Sequence, residues 1–175
     1  MKKLRKNDRG FTLVELIVST AILAIVALGA GAFMVAGTRV YSSLNYTVRL
    51  QYEAQLAMAQ LQEYAVDCSD GIAWDPGQTK LYIADESAVH VFDYDETAKT
   101  IFYGTGSKAE NLTFAVDAIA AEHVEAMNVI FQEKQVEITL NMARSNKNYS
   151  ATQIIALRNQ PVKATSWAEL WNIIK

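Results

Sequence analysis

The most unusual chemical feature of the sequence is a single carboxylate, Glu15, inside an apolar run. It is the only charged residue between Phe11 and Thr38. A carboxylate in hydrocarbon costs a few kilocalories per mole on insertion scales, and less near the lipid headgroups. Two interpretations follow: either Glu15 lies at headgroup level and is tolerated there, or it pairs with a positive group such as the free amino terminus of another chain.

The other candidate groups predict no enzyme. The sequence has no recognisable Ser-His-Asp set and no phosphate-binding loop. Gly104 and Gly106 lack the third glycine of a dinucleotide motif and follow a strand pattern, so they are interpreted as a turn. His90 and His123 have no second ligand at metal spacing. We therefore predict no catalytic residue, no metal and no cofactor.

Two further features carry weaker hypotheses. Asp93, Asp95 and Glu96 could offer oxygens to calcium, but an EF-hand's later glutamate is missing and an acidic turn is the simpler interpretation. Cys68 is the only cysteine, which excludes an intramolecular disulfide. A small buried hydrophobic residue is its simpler role, with an intermolecular disulfide or a reactive thiol as the alternative.

Charge and hydropathy divide the chain unevenly. Residues 1–10 hold five bases and one acid, whereas the other 165 residues hold 11 bases and 18 acids. From Leu16 to Thr38 there are 23 residues without a charge, about 34 Å of helix and enough to span a bilayer. The basic flank places residues 1–10 in the cytoplasm and the acidic body outside. The negative charge of that body argues against direct nucleic-acid binding.

The residues at the start of this segment form a recognisable series. A Lys-rich leader ends in Arg9-Gly10, and Phe11-Thr12-Leu13-Val14-Glu15 then opens the apolar run. This series resembles the class III signal of type IV prepilins and pseudopilins over roughly residues 5–36. The match is specific, because the basic leader, the glycine, Phe, Thr, Glu and the hydrophobic run must coincide in order.

The resemblance implies a role for each matching residue. A prepilin peptidase would cut between Gly10 and Phe11 and then methylate the new Phe11 amine. A scissile glycine suits an extended peptide in a narrow protease cleft. The amine stays positive after methylation, so Glu15 of one subunit could pair with Phe11 of another during assembly.

An ordinary secretory signal is the competing interpretation, with cleavage by a signal peptidase after Ala32 in Ala30-Gly31-Ala32. Its apolar region would be long for that class, and it explains neither Glu15 nor the Gly-Phe-Thr order. The product would be a secreted or membrane-anchored binding module, or a soluble domain.

Beyond Gly37 a helical period continues, and neither Pro nor Gly occurs between Thr38 and Asp70. We predict one spine helix from about Thr12 to Val66. Apolar residues at intervals of three or four predict its head-packing face, which Met58, Leu61 and Ala65 extend. The residues that define the interval are Tyr41, Leu44, Val48, Tyr52, Leu56 and Ala59.

Gly71 is predicted to end the helix, and after the turn at Trp74–Gly77 the period changes to two, which predicts antiparallel strands. A turn is predicted at Trp74–Gly77, and the alanine-rich segment Ala118–Ala126 is predicted to be helix-favouring or a loop. The tail from Pro161, with Trp167 and Trp171 four residues apart, predicts a short amphipathic helix or a docked tail. Predicted strands lie at 81–83, 89–92, 100–103, 112–116, 127–131, 135–142 and 150–157.

The expected fold is therefore α+β and pilin-like, with a long spine helix packed on an antiparallel β-sheet head. The expected segments are a cytoplasmic leader (1–10), a transmembrane or filament-core helix half (11–37), an amphipathic helix half (38–66) and the head (67–175). Leu157-Arg158-Asn159, at the end of a late strand, resembles the close of a minor-pilin subgroup and favours a minor subunit.

The expected partners are prepilin peptidase, other pilin or pseudopilin subunits, an inner-membrane assembly platform and, before assembly, lipid. The chain would be a single-pass protein of a bacterial cytoplasmic membrane and then part of a periplasmic or extracellular filament. A type IV pilus, a type II secretion pseudopilus and a DNA-uptake pilus remain open.

Overall fold

The computed structural model describes residues 11–175, and these form two helices and nine strands. Helix α1 is Leu13–Val66 and helix α2 is Trp167–Ile174. The strands are β1 (Gly71–Asp75), β2 (Lys80–Ala84), β3 (Val89–Asp95), β4 (Thr100–Gly106), β5 (Phe114–Ala121), β6 (Val124–Phe131), β7 (Gln135–Arg144), β8 (Lys147–Ala156) and β9 (Val162–Ala164). The architecture is α+β and pilin-like, as the sequence predicts.

Contacts divide the chain into two compact units, of which the first ends at Leu44 and the second is Asn45–Lys175. In the first unit every described residue of the helix except the half-buried Ser43 is exposed. An 18-residue window of α1 has a mean hydropathy of 2.4, so the helix is long and apolar enough to cross a membrane.

The second unit contains two sheets. Six strands follow the order β5-β4-β3-β2-β1-β9, in which every pair is antiparallel except β1 with β9, and the second sheet has the order β6-β7-β8. The Tyr94 hydroxyl donates to the Val124 carbonyl at 3.0 Å and joins the two sheets. The predicted antiparallel head is thus confirmed, with one parallel edge pair.

Strand alternation gives the large sheet two buried faces. Leu81 and Ile83 belong to the main core with one face of α1, whereas Tyr82 and Ala84 pack in a second cluster with Trp167 and Leu170 of α2. The predicted amphipathic tail helix therefore packs into this second core. Its N-cap is Ser166, whose hydroxyl accepts from the Glu169 amide.

The predicted head-packing face of α1 is wrong in part. Met58, Leu61 and Ala65 are buried as expected, with Leu50, Ala54 and Ala57 beside them. Val48, Tyr52 and Leu56 are more than half exposed, and so are Tyr41 and Leu44. The helix carries a second, exposed apolar face, and its buried face combines three alanines with Leu50, Met58 and Leu61.

Three local expectations are also corrected. Ala118–Ala126 contains the end of β5 and the start of β6, because the chain changes sheet at Glu122 and His123 without a helix. Trp74 and Asp75 belong to β1, and the turn follows them. Gly104 and Gly106 lie inside β4 rather than in a turn. A Cβ on Gly104 would lie 2.1 Å from the Ala115 carbonyl oxygen, so only glycine allows β5 to approach there.

Candidate functional site

The N-terminal end of α1 is a reciprocal capping arrangement between Thr12 and Glu15. The Glu15 amide donates to the Thr12 hydroxyl at 3.3 Å, while the Thr12 amide donates back to the Glu15 carboxylate at 3.0 Å. The Thr12 hydroxyl also donates to that carboxylate, at 2.9 Å. This is a capping box, in which side chains satisfy amides that have no partner within the helix.

The capping box gives Glu15 a role within its own chain. Both bonds that Thr12 makes to the carboxylate use the same oxygen, Oε2, so these bonds leave Oε1 to other donors. The negative charge also lies in the first helical turn, where the helix dipole favours it. The Thr-x-x-Glu spacing could have revealed Thr12 as a functional residue, but the sequence interpretation considered Glu15 only as a charge.

Phe11 immediately precedes this cap and is 81% exposed. Gly10, the other residue of the predicted cleavage site, lies outside the described residues. The structure therefore places Phe11, Thr12 and Glu15 together at the start of α1 and leaves the geometry of the Gly10–Phe11 bond undescribed.

Polar side chains inside the apolar part of α1 are satisfied by the helix itself. The Ser19 hydroxyl donates to the Glu15 carbonyl at 2.6 Å, and the Thr20 hydroxyl donates to the Leu16 carbonyl at 3.0 Å. Thr38 makes the same kind of bond to the Met34 carbonyl at 3.2 Å. Such bonds lower the cost of placing a hydroxyl in lipid, so these residues do not oppose a membrane-spanning helix.

The family described as "Prokaryotic N-terminal methylation motif" matches residues 5–31. The chain carries a type IV prepilin-like class III signal. The prepilin-like signal and the long apolar helix together are consistent with membrane anchoring, and such a signal implies processing by prepilin peptidase and assembly with other pilin subunits. It also indicates a structural subunit. No curated protein and no solved structure matches the chain significantly.

The acidic turn proposed for calcium is engaged in protein contacts. One Asp95 carboxylate oxygen accepts from the Thr97 and Ala98 amides at 2.7 and 3.0 Å, and Asp93 pairs with Lys80 at 3.4 Å. The two bonds to Asp95 define an Asx-type turn that closes the β3–β4 hairpin. The acidic-turn interpretation accounts for these carboxylates.

Cys68 is buried beneath the end of α1. Its thiol donates to the carbonyls of Gly71 and Ala84 at 3.1 and 3.3 Å. Burial raises the pKa of the Cys68 thiol to about 12, so the reactive thiolate is scarce at neutral pH. The structure thus supports the buried-hydrophobe interpretation over a reactive thiol.

Two histidine clusters were missed because their members are far apart in sequence. His123 Nδ1 lies 3.4 Å from a Glu53 oxygen, and Glu122 brings a third potential ligand within 4.8 Å of both. Arg144 lies 3.9 Å from the other Glu53 oxygen and neutralises part of this charge. The sequence spacing around His123 indicated no second ligand, but the fold brings Glu53 and Glu122 beside it, and Arg144 pairs with the same Glu53.

His90, a residue of β3, lies in the second cluster together with Tyr64 of α1. Its Nδ1 and Nε2 lie 2.9 Å from the Tyr103 hydroxyl and 3.2 Å from Asp85, and Tyr64 of α1 stacks on the ring at a centroid distance of 4.0 Å. These contacts hold the last turns of α1 on the sheet.

Proposed function

We propose that this chain is a minor pilin or pseudopilin, a structural subunit that is cut between Gly10 and Phe11, methylated at Phe11 and assembled from the membrane into a type IV-type filament. The observation that carries the proposal is the methylation-motif match at residues 5–31, which coincides with the start of an exposed apolar helix. The head faces outwards in this assembly.

The capping box supports the assembly role of Glu15. Cleavage would free an α-amino group at Phe11 with a reference pKa near 8, which methylation leaves positive. Thr12 holds the carboxylate at the first helical turn through Oε2, and these bonds leave Oε1 to accept from an amine on a neighbouring subunit. Such a pair is far stronger in low dielectric than in water, so it would set the register between subunits.

The expected partners of this subunit are prepilin peptidase, an inner-membrane assembly platform, other pilins and, before assembly, lipid. The minor-subunit assignment rests on Leu157-Arg158-Asn159, which directly follow β8 and contact the end of α1. The Arg158 amide donates to the Val66 carbonyl at 3.3 Å, and the Asn159 amide group donates to the Asp67 carbonyl at 3.3 Å.

The secretory-signal alternative finds less support. Ala30, Gly31 and Ala32 all lie within α1, which is one helix from Leu13 to Val66. A signal peptidase would therefore have to unwind the helix at that point. A head that binds a surface or a secreted substrate remains compatible with the filament role, since both would use the same chain.

The deciding experiment is intact-mass analysis of the full chain after co-expression with a prepilin peptidase. We expect loss of residues 1–10 and one added methyl group. Gly10→Phe should block the cut, because the cleft cannot accept a side chain at that position, and Ala32→Phe should leave it unchanged. Cleavage after Ala32 that Ala32→Phe abolishes would refute the proposal.

A further inference from the structure

Three metal-ligating side chains from two distant parts of the sequence meet in the second unit. Glu53 belongs to α1, whereas Glu122 and His123 form the connection between β5 and β6. His123 Nδ1 lies 3.4 Å from Glu53 Oε2, and one ligand atom from each of the three residues lies within 4.8 Å of the other two. The fold thus brings an imidazole nitrogen and two carboxylates to one place.

Backbone hydrogen bonds hold the connection that carries the imidazole. The His123 carbonyl accepts from the Ala143 amide at 2.9 Å, and the neighbouring Val124 amide donates to the Lys99 carbonyl at 2.9 Å. His123 has a φ of 61°, in the left-handed region that His adopts more readily than most residues. Because this backbone is fixed, the ring loses less conformational entropy when it binds a ligand.

The type and spacing of these groups suit a late first-row divalent cation such as Zn²⁺. Zn²⁺ binds His nitrogen and carboxylate oxygen at about 2.0–2.2 Å, most often in a tetrahedron, so its ligand atoms lie about 3.4 Å apart. Glu53 and His123 already have this separation, 3.4 Å, and the exposed Glu122 needs only a side-chain adjustment to complete the set. Ca²⁺ and Mg²⁺ prefer oxygen ligands alone, so the imidazole selects against them.

The charges of the group also favour a cation. Glu53 and Glu122 carry two negative charges, and Arg144, 3.9 Å from Glu53 Oε1, supplies one positive charge. The Arg144 guanidinium also lies over the Tyr46 ring, 5.7 Å from its centroid, so Glu53 is not its only partner. An excess of one negative charge remains beside neutral His123. Both Glu53 and His123 are mostly buried, at 25% and 29% side-chain exposure, so water screens their attraction for an ion less than at an open surface.

We propose that Glu53, Glu122 and His123 form a binding site for Zn²⁺ or a similar late first-row divalent ion, with water as the fourth ligand. The ion connects α1 to the point at which the chain passes from one sheet to the other. It therefore stabilises the folded second unit by mass action. This inference goes beyond the proposed filament role, since all three ligands lie in the second unit and outside the N-terminal signal.

Titration of Zn²⁺ into the full chain measures the site directly. The chain is purified in detergent with a tag that contains no histidine, stripped of metal with EDTA and dialysed before isothermal titration calorimetry. We expect one Zn²⁺ per chain, a micromolar or lower Kd and no displacement by excess Ca²⁺. X-ray absorption of the loaded chain should show a single imidazole among nitrogen and oxygen ligands at about 2.0–2.2 Å. Absence of saturable binding, or displacement of Zn²⁺ by Ca²⁺, would overturn the inference.

Substitutions assign the ligands and exclude adventitious binding. Glu53→Gln, Glu122→Gln and His123→Gln should each weaken Zn²⁺ binding by at least about tenfold, and Zn²⁺ should raise the melting temperature of the wild-type chain but not of these variants. His90→Gln is the control for the histidine, and Glu125→Gln is the control for an exposed acid in the same segment. Both controls should retain wild-type affinity.

Circular dichroism without metal checks that each variant folds, and the X-ray absorption of the wild-type chain decides the ligand set if one does not. Wild-type affinity of His123→Gln, or an equal loss from His90→Gln, would show adventitious binding to surface side chains and overturn the inference. An uncut chain after co-expression with prepilin peptidase would refute the proposed function and leave the Zn²⁺ titration unaffected.

Discussion

The two units use the same helix in opposite ways. In the first unit α1 buries none of its large apolar side chains, whereas in the second it buries a face of Leu50, Ala54, Met58 and Leu61 in a core shared with two sheets. Removing apolar surface from water is the main stabilising term in folding. The second unit therefore obtains its stability from its own chain, while the first requires lipid or other subunits.

The largest expected effect concerns Glu15, in the unit that lacks a core. Glu15→Gln retains the capping box, since Gln can replace Glu at that position, but it removes the charge. Glu15→Leu removes both. If the Phe11 amine is the partner, both variants should be processed normally, accumulate in the membrane and enter filaments many-fold less well. Immunoblots of the sheared-filament and membrane fractions measure the effect.

Two other outcomes for Glu15 have distinct meanings. Normal incorporation of Gln with loss for Leu would show that capping by Thr12 and Glu15 is sufficient and that the charge is dispensable. Wild-type incorporation of both variants would refute the pairing role and leave Glu15 as a tolerated interfacial acid. Thr12→Val serves as the control, because it disrupts the cap while retaining the carboxylate.

The second prediction tests whether the second unit stands alone. A fragment of residues 38–175 should be soluble and monomeric, because it lacks the apolar segment yet keeps the buried face of α1 on its sheets. Cooperative urea unfolding with the native far-UV circular dichroism spectrum would support independent folding. Insoluble aggregates under all conditions would show that the boundary between the two helix surfaces is wrong.

The third prediction compares the two faces of α1 within that fragment. Leu61 is 1% exposed and Leu56 is 51% exposed. Leu61→Ala should lower the free energy of unfolding by about 3 kcal/mol, since it leaves a cavity in the main core. Leu56→Ala, the matched control, should change it by less than about 0.5 kcal/mol. Equal costs from the two substitutions would contradict the assignment of the faces.

The sequence predicted the helix bounds and the α+β class, because unbroken helical periodicity and period-two strands are local signals. It missed which face of α1 is buried, since the three-to-four-residue interval that was followed included Tyr52 and Leu56 and left out Ala54 and Ala57. Which face of a helix is buried depends on the sheet that it packs against, and that is a tertiary property. The sheet change at Glu122 and His123 likewise depends on which strands pair, and local propensity cannot specify that.

The candidate site also combines features that the local sequence predicts with features that depend on the fold. Gly10, Phe11 and Glu15 were predicted from contiguous residues, and the methylation-motif match covers all three. The cap between Thr12 and Glu15 was available in the Thr-x-x-Glu spacing. The clusters around His90 and His123 could not be predicted in this way, because the fold and not the local sequence brings Asp85, Tyr103 and Glu53 to the two histidines.

The fourth prediction is an acid-sensitive contribution from Asp85 in the second unit. Partial burial alone would raise the pKa of Asp85, but the Ala88 and Ser87 amides, the Ser87 hydroxyl and His90 lower it to about 2. A folded-state pKa below the unfolded value of about 3.9 gives stability that is present above pH 4 and lost as the pH falls towards 2.

Asp85→Asn should therefore flatten the pH dependence of the urea midpoint of the 38–175 fragment between pH 4 and 2. The expected difference is about 1 kcal/mol, because the Asp85 side chain is 34% exposed and solvent screens its interactions. The measurement is a urea titration at each pH, with Glu86→Gln as the neighbouring exposed control. An unchanged acid limb in Asp85→Asn would show that other carboxylates govern acid unfolding.

The smallest expected effect lies where the late strand meets the end of α1. The guanidinium of Arg158 pairs with Asp67 at 2.9 Å, but both side chains are 71% exposed. Water screens such a pair and its side chains lose entropy, so Arg158→Ala should lower the free energy of unfolding of the 38–175 fragment by less than about 0.5 kcal/mol.

The contact of this segment with α1 depends instead on the Arg158 backbone amide, which the substitution retains, and on buried Leu157. Leu157→Ala should accordingly cost about 2–4 kcal/mol in the same urea titration. If Arg158→Ala lowered the free energy of unfolding nearly as much as Leu157→Ala, the ion pair, rather than burial, would stabilise the contact between this segment and α1.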